Sequence, residues 1–354
     1  MEVGILAIFQ NYGGQVDDAV MVRNELRLAD QVEDLGFGTW WPTEHHFTDY
    51  SACPDNIQML SYMAGRTHRI RLGTGAVIVP WNDPLRIVEK MAMLDHLSDG
   101  RAVLGLGRGL ARIEYEHFGI AMDESRDRFD EGAAMIIEGL RTGHVEGKGR
   151  YYPRAATPVR PAPIRDFSDR VYCVGVSPES VLQAGQLGAR LMVFSQTPWE
   201  MFAEGSLMEY RRAYRRSSNA AAPPPLIADL VFCHESPDAA EELSRTYMSN
   251  YFRSIVDHYE LFSEHFRDIR GYEFYATSME MFRAAGIENA VDTYCAIQTW
   301  GTPRQILEKL SDRRELLGDF EFNCIVNYGG MPIEQAESSM RLFAQQVLPE
   351  LQTW

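Results

Sequence analysis

The sequence predicts a closed (β/α)8 barrel, in which eight parallel strands are covered on the outside by helices. Eight apolar, β-rich runs recur along the 354 residues, and segments with helical spacing separate them. Strands that alternate with helices form parallel sheets with both faces covered. Eight such units in a chain of this length favour a single barrel domain over residues 1–354 rather than an open sheet.

The first four strands and their helices occupy the N-terminal part of the chain. Each predicted strand is an apolar or β-branched run bounded by turn signals: VGILAIF (3–9), GTWWPTEHHF (38–47), IRLGTGAVIVP (70–80) and RAVLGLGRG (101–109). Gly36 ends the first helix and Pro84 opens the third, as is typical of helix boundaries. The helices of this half are predicted over 17–35, 55–67, 84–97 and 124–141.

The second half repeats the alternation after a polar hairpin at 143–153 and a proline-rich segment at 153–163. Its predicted strands are RVYCVGVS (170–177), ARLMVFS (189–195), LIADLVFC (226–233) and FEFNCIVNYGG (320–330). Helices are predicted near 178–187, 199–216, 238–260 and 334–348.

An insertion at 261–300 interrupts the alternation between the seventh helix and the eighth strand. It mixes aromatic and charged residues. A long insertion at a barrel mouth is often a mobile lid, which is the interpretation we expect to hold here. An arm packed against the barrel or against a partner explains the same pattern.

The composition excludes several functions. The formal net charge is −16, whereas nucleic-acid binding requires a clustered basic face. No apolar run is long enough to span a bilayer, and the N-terminus has no basic signal-peptide start. The cysteines are odd in number, widely spaced and free of C-x-x-C motifs, which predicts reduced thiols in a cytoplasmic protein: Cys53, Cys173, Cys233, Cys295 and Cys324.

The predicted second strand ends in three consecutive titratable residues, Glu44, His45 and His46. Active sites of barrels lie where strands end. A histidine there can act as a base or donor, and an adjacent carboxylate can tune it. The triplet has no i, i+4 histidine pair and no H-E-x-x-H pattern, so we expect no metal site. A buried polar clamp explains the triplet as well as catalysis does.

Three further strand ends carry features that suit a phosphate-bearing ligand. Glycines in GTGAV of strand three let a flat ligand or another backbone approach closely. GLGRG after strand four supplies Arg108, and Arg126 opens the next helix, so two guanidinium groups could hold a phosphate. After strand five, Ser177 and Ser180 occupy a helix start, where free N–H groups bind anions. Tight barrel packing, a solvated arginine and an ordinary N-cap are the alternatives.

Taken together and in order, six stretches resemble the bacterial luciferase family of flavin-dependent monooxygenases over nearly the whole chain. They are EHHFTDY, GTGAVIVP, DHLSDGRAVLGLGRGL, FGIAMDESR, GYEF and GTPRQILEKL. The pattern is most similar to that of the luciferase alpha subunit. The resemblance implies a (β/α)8 barrel, in agreement with the strand count.

The resemblance also implies an activity and its partners. Family members receive reduced FMN from a separate NAD(P)H:flavin reductase. With O2 as co-substrate, they form a C4a-peroxyflavin. A small hydrophobic substrate is then oxygenated by hydroxylation, epoxidation or Baeyer–Villiger chemistry. We therefore expect a two-component monooxygenase that forms a homodimer. A coenzyme F420-dependent hydride-transfer enzyme and a non-catalytic flavin-binding subunit are the competing interpretations.

Site residues follow from the same resemblance. His45 matches the catalytic histidine, supported by Glu44 and His46. Gly75–Ala76 matches a non-proline cis peptide beneath the isoalloxazine ring. The residues that match the rest of the flavin site are Gly107, Arg108, Leu110, Arg126, Val176, Ser177 and Ser180, and Tyr272 falls in the lid.

Two departures from the luciferase pattern predict a non-luminescent relative. The luciferase alpha subunit has a reactive cysteine where this chain has Gly107, and a glutamate where it has Val176. Five aromatic residues near predicted strand ends either line an apolar substrate pocket or pack the barrel: Trp40, Trp41, Trp81, Phe194 and Trp300.

Overall fold

The computed structural model confirms the predicted (β/α)8 barrel. It describes residues 1–194, 197–263, 265–275 and 286–354. Neighbouring barrel strands are all parallel, and the eighth pairs with the first to close the sheet. We number them β1–β8 in chain order: Val3–Ala7, Thr39–Pro42, Arg71–Gly73, Ala102–Gly107, Val171–Val174, Arg190–Phe194, Leu226–Cys233 and Glu321–Ile325.

Helices surround the barrel and begin where proline and capping signals indicate. Asp83, Ser177, Ser236 and Thr302 each precede a proline, and each side chain accepts a backbone N–H of the first turn. The helices, numbered α1–α13 in chain order, are Asp18–Ala29, Asn56–Ala64, Pro84–Leu97, Arg112–His117, Ser125–Thr142, Pro178–Gln186, Trp199–Glu204, Ser206–Ser218, Pro237–His258, Ile287–Ile297, Pro303–Leu317, Ile333–Gln346 and Leu348–Leu351.

The third strand differs from the prediction of one continuous run over 70–80. β3 ends at Gly73, and a short strand at Val77–Ile78 resumes the pairing with β4. Between them, Thr74 Oγ1 donates to the carbonyl of Gly105 and accepts its N–H, both at 2.8 Å. This side chain therefore satisfies the backbone groups that a continuous ladder would have used. The expected cis peptide at Gly75–Ala76 lies in the interruption and is confirmed.

The insertion ends in an ordered arm. α10 leads into a short strand, Thr299–Gly301, which pairs in parallel with Val231–Cys233 at the end of β7. For these residues, the structure shows an arm packed against the barrel. The lid expected over 261–300 stays a prediction, because residues 264 and 276–285 lie outside the described part of the chain.

The structure also contains the predicted hairpin and the predicted unpaired cysteines. The polar hairpin forms from two antiparallel strands, His144–Gly147 and Arg154–Pro158. All five cysteines are buried and unpaired. In the described residues, no helix is long and apolar enough to cross a bilayer.

A buried ion pair ties α11 to the barrel wall. Arg313 Nη1 lies 2.7 Å from Asp229 Oδ2 in β7, and both side chains are at most 2% exposed. Thr299 Oγ1 donates to the same carboxylate oxygen at 2.5 Å. A buried carboxylate that has lost its cation is costly, because burial removes its hydration. This pair therefore holds α11, β7 and the outer strand in one register.

We expect Arg313→Met to lower the free energy of unfolding by about 3–5 kcal/mol, because it leaves Asp229 buried without its cation. Arg304→Met is the matched control on the same helix, since Arg304 is 87% exposed and pairs with Glu308 on the surface. It should change stability by less than about 0.5 kcal/mol. Urea unfolding of both variants measures the difference, and equal losses would contradict the role of the buried pair.

Candidate active site

A cavity of about 1030 Å³, including its open mouth, lies at the carboxyl ends of the barrel strands. This is the end at which barrel enzymes carry their active sites. Most of the residues selected from the sequence line it: Glu44, His45, Gly75, Ala76, Gly107, Arg108, Leu110, Val176 and Ser180. His46, Arg126 and Ser177 are not among the residues that line it.

Glu44 connects the end of β2 to the segment that follows the cis peptide. Its carboxylate accepts hydrogen bonds from the Ile78 N–H at 3.1 Å and from Trp81 Nε1 and Asn82 Nδ2 at 2.8 Å each. His46 Nε2 lies 3.3 Å from the same group. A carboxylate with this many partners is a positioning group. From its place in the lining it holds the segment after the cis peptide in position.

The floor itself is flat because glycines form it. A Cβ on Gly107 would lie 2.8 Å from Ile78 Cδ1 and 3.4 Å from the Ala76 Cβ. A Cβ on Gly75 would lie 2.6 Å from Leu6 Cδ1. Side chains at these two positions would therefore crowd the cavity wall, and the bare backbone leaves a planar surface suited to a ring system.

His45 pairs with a carboxylate that the sequence did not indicate. Its Nδ1 lies 3.0 Å from Oε1 of Glu114, and the His46 N–H donates to the same oxygen at 2.9 Å. Burial alone would raise the pKa of Glu114, but the charge and hydrogen bond of His45 outweigh it, so the pKa lies below its usual value. The carboxylate can only accept, so His45 Nδ1 carries the proton. In the neutral ring, Nε2 is therefore an acceptor.

A second histidine, His258 at the end of α9, lies beside this pair. Its ring stacks on Tyr50 with centroids 4.3 Å apart and meets His45 edge-on at 5.3 Å. Burial, together with the charge of His45, lowers the pKa of His258 to about 3. Nδ1 contacts Thr48 Oγ1 at 3.1 Å, whereas Nε2 is buried without a partner among the described residues. His258 is therefore a neutral group in the wall.

His45, Glu114 and His258 have ligand atoms that all lie within 4.8 Å of one another. Ligand atoms around a tetrahedral zinc ion are about 3.4 Å apart, as bonds of about 2.1 Å require. Two hydrogen bonds to a shared water span about 4.6 Å. As arranged, the three groups suit a bridging water better than a metal ion.

Arg108 lines the polar end of the cavity, and Arg126 lies close to it. The Arg108 guanidinium lies 4.0 Å over the ring of Tyr272, and its Nη1 donates to Ser125 Oγ at 3.3 Å. Burial, reinforced by the charge of Arg108, lowers the pKa of Arg126. Its Nη2 is buried with no partner among the described residues. Two neighbouring guanidinium groups, of which Arg126 has an unused donor, fit a phosphate dianion.

Ser177 and Ser180 have different environments at the start of α6. Ser177 is fully buried and caps the helix, with Oγ accepting the Ser180 N–H at 3.3 Å. Its Oγ also lies 3.0 Å from Ser180 Oγ. Ser180 alone of the two reaches the cavity lining. Ser177 is therefore an ordinary N-cap residue. Contact with a ligand remains a prediction for Ser180.

The aromatic lining differs from the sequence prediction. Of the five candidates only Phe194 lines the cavity. Trp40 and Trp41 are buried in the barrel, Trp81 donates to Glu44, and Trp300 donates to the Cys295 carbonyl. Side chains alternate between the two faces of a strand, so position near a strand end does not decide which way a ring points. Four tyrosines take their place: Tyr50, Tyr251, Tyr259 and Tyr275.

Known proteins share this sequence pattern from end to end. A profile of the family described as luciferase-like monooxygenase matches residues 1–319. The alkanal monooxygenase alpha chain of Aliivibrio fischeri is 27% identical over 331 residues, which are 90% of this chain and 90% of that one. The alkanal monooxygenase alpha chain of Photorhabdus laumondii is 23% identical over 347 residues, which are 95% of this chain and 94% of that one.

Solved structures share the fold. Monooxygenase RslO1 from Streptomyces bottropensis has a TM-score of 0.81 and 27% identity, covering 99% of this chain and 100% of its own. The FMN complex of the oxygenating constituent of 3,6-diketocamphane monooxygenase from Pseudomonas putida has a TM-score of 0.78 and 16% identity, covering 99% and 98%. A coenzyme F420-dependent tetrahydromethanopterin reductase from Methanopyrus kandleri has a TM-score of 0.68 and 17% identity, covering 99% of each chain. The last two likenesses show the fold alone.

We expect His258 to make the protein less stable in acid. Above pH 6.5 it is neutral in both states. As the pH falls from 6.5 toward 3, the unfolded chain takes up a proton that the folded site excludes. This lowers the free energy of unfolding by up to about 1.4 kcal/mol per pH unit. In His258→Phe the loss over this window should be smaller, whereas the exposed His68→Gln should follow the wild type. Parallel pH profiles of wild type and His258→Phe would contradict this account.

Proposed function

The chain belongs to the luciferase-like monooxygenase family, and we propose that it uses reduced FMN and O2 to oxygenate a small hydrophobic molecule. The observation that carries the proposal is one cavity that combines the His45–Glu114 pair, the glycine floor at Gly75 and Gly107, and Arg108. The family is one of oxidoreductases. The use of reduced FMN, the class of substrate and the roles of individual residues are parts of our proposal.

The cavity fits FMN at both ends. Arg108, Arg126 and Ser180 would hold the phosphate, because unused guanidinium donors and a hydroxyl meet there. The isoalloxazine ring would lie on the floor of Gly75–Ala76 and Gly107. The remaining predicted contacts of the ring edge are Leu110 and Val176. Bound reduced FMN supplies the electrons that activate O2.

The chain's own contribution is control of water and of one proton. Glu114 holds the proton of His45 on Nδ1, so Nε2 faces the tyrosine wall as a base. Glu44 lines the cavity and contacts His46, whose backbone N–H donates to Glu114, so these two residues position the pair. Tyr50 and Tyr251 are buried, so the cavity at this end has a water-excluding wall.

Two partners belong to the proposal. A separate NAD(P)H:flavin reductase would supply the reduced FMN, since a structurally similar protein is the oxygenating constituent of such an enzyme. A second copy of the chain would pack on α2 and α3, which expose Tyr62, Met93 and Leu97 to about half of their full area. A single monomeric species in sedimentation would contradict the homodimer.

The role of His45 predicts how bound reduced FMN reacts with O2. When an anaerobic complex is mixed with O2, the absorbance of oxidised FMN should return after a delay in the wild type. In His45→Ala the delay should be roughly 10²-fold shorter, the lower end of what a positioned proton-transfer group contributes. The exposed His68→Ala is the control. Immediate return in the wild type would contradict the proposed activity.

The phosphate site predicts a preference for FMN over riboflavin. In the wild type FMN should bind more tightly, and Arg126→Met should reduce that ratio about tenfold or more while riboflavin affinity stays unchanged. Arg128→Met is the control, because Arg128 lies on the same helix and pairs with Glu124. Equal affinity of the wild type for both flavins would contradict the site. Tight binding of coenzyme F420 with negligible FMN affinity would favour the hydride-transfer alternative.

A further inference from the structure

Tyr272 is a buried aromatic residue in the segment that follows α9. It comes shortly after a 3-10 turn, His265–Asp268, and its side chain is 0% exposed. Its hydroxyl donates to the carbonyl of Gly109 at 3.1 Å, and the ring of Phe266 stacks on it with centroids 5.7 Å apart. Tyr272 is not among the residues that line the cavity. Any effect of Tyr272 on a bound ligand is therefore transmitted by a residue of the lining.

Arg108 is the lining residue that the ring of Tyr272 contacts. Its guanidinium carbon lies 4.0 Å from the ring centroid, and the arginine itself is buried. Gly109, which accepts the Tyr272 hydroxyl, is the next residue along the chain and also lines the cavity. An aromatic face attracts a cation above it, and the attraction grows where water is excluded. The ring and the hydroxyl of Tyr272 therefore hold Arg108 and the backbone beside it in place.

The ring holds Arg108 without using a hydrogen-bond donor of the guanidinium group. That group has five N–H donors, and Ser125 Oγ accepts one of them at 3.3 Å. A ring face attracts the charge instead. Arg270 in the same segment shows the contrast, because both of its Nη groups donate to the Asp127 carboxylate at 3.1 Å. A carboxylate in place of the Tyr272 ring would compete with a phosphate for the donors of Arg108.

The main chain of Gly271 lies against both arginines of the phosphate end. A Cβ added to Gly271 would lie 3.4 Å from Arg108 Nη1 and 3.8 Å from Arg126 Cβ. Gly271 also has a φ of +86°, in the left-handed region that glycine adopts most readily. This close approach brings the following residue, Tyr272, onto the Arg108 guanidinium.

We propose that Tyr272 is a positioning residue of the phosphate site, whose ring orients Arg108 toward the cavity and leaves the guanidinium donors to the phosphate of FMN. The inference rests on the proposed function, because it assigns a role at the same FMN site. It adds a residue that controls the affinity for the phosphate without lining the cavity. The binding of riboflavin, which has no phosphate, should not depend on the ring.

Substitution of Tyr272 tests the proposal through the affinities for FMN and riboflavin, measured by flavin fluorescence. Tyr272→Leu keeps an apolar side chain but removes the ring face. FMN should then bind about two- to thirtyfold more weakly, the range expected for a cation–π contact, while the affinity for riboflavin stays unchanged. Tyr272→Phe keeps the ring and should therefore keep the FMN-to-riboflavin ratio of the wild type.

A double-mutant cycle tests whether Tyr272 acts through Arg108. Arg108→Met should itself lower the FMN-to-riboflavin ratio, because it removes a guanidinium group from the phosphate site. In the Arg108→Met background, Tyr272→Leu should cause no further fall, since the cation that the ring positions is gone. A merely structural role of Tyr272 would give the same fall in both backgrounds.

Tyr151→Leu is the matched control. The Arg128 guanidinium carbon lies 4.8 Å from the Tyr151 ring centroid, so the contact is of the same kind, but neither residue lines the cavity. This variant should keep the wild-type ratio. Circular dichroism establishes that each variant is folded. Tyr272→Met, whose unbranched side chain adapts to irregular space, replaces Tyr272→Leu where the latter is unfolded.

An unchanged ratio in Tyr272→Leu, or equal weakening of FMN and riboflavin, would overturn the role of Tyr272 while the phosphate site stands. An equal further fall in the Arg108→Met background would overturn the action through Arg108. Equal affinity of the wild type for the two flavins would overturn the phosphate site itself, and the inference with it. The wild-type ratio therefore distinguishes failure of the proposed function from failure of the inference.

Discussion

The buried carboxylate of Glu114 fixes the position of His45 in this cavity. It accepts from His45 Nδ1 and from the His46 backbone, and these contacts keep it ionised in spite of burial. Because a carboxylate can only accept, His45 carries a proton on Nδ1, and in the neutral imidazole Nε2 is then the acceptor.

A second carboxylate, Glu44, is equally buried and has a different task. Its oxygens accept hydrogen bonds from Ile78, Trp81 and Asn82, so its main effect is to hold the segment after the cis peptide in place. The difference between the two groups comes from their partners, since Glu114 holds His45 of the cavity lining, whereas Glu44 accepts from amide and indole donors and contacts His46. Glu44 therefore holds the backbone that shapes the cavity, whereas Glu114 orients His45.

Much of the fold was predictable because burial on both faces leaves continuous apolar runs, as in VGILAIF and LIADLVFC. Residues at strand ends, such as His45 and Arg108, could be selected because barrel topology brings those ends together. Glu114, Tyr251 and His258 could not be selected in this way. They lie within helices, where an acidic, aromatic or histidine residue carries no local signal. The break in β3 was missed because Thr74 replaces ladder bonds with its own hydroxyl, which hydrophobicity does not report.

The sequence by itself determined the barrel, the order of its strands and a candidate histidine at the end of β2, because periodicity and chain topology are local properties. Only the tertiary structure decided what that histidine does. α4 brings Glu114 to within 3.0 Å of His45 on one side, and the end of α9 brings Tyr259 to its other nitrogen. Those contacts join residues 69 and 214 positions apart, and hydrogen-bond direction depends on which groups meet across such separations.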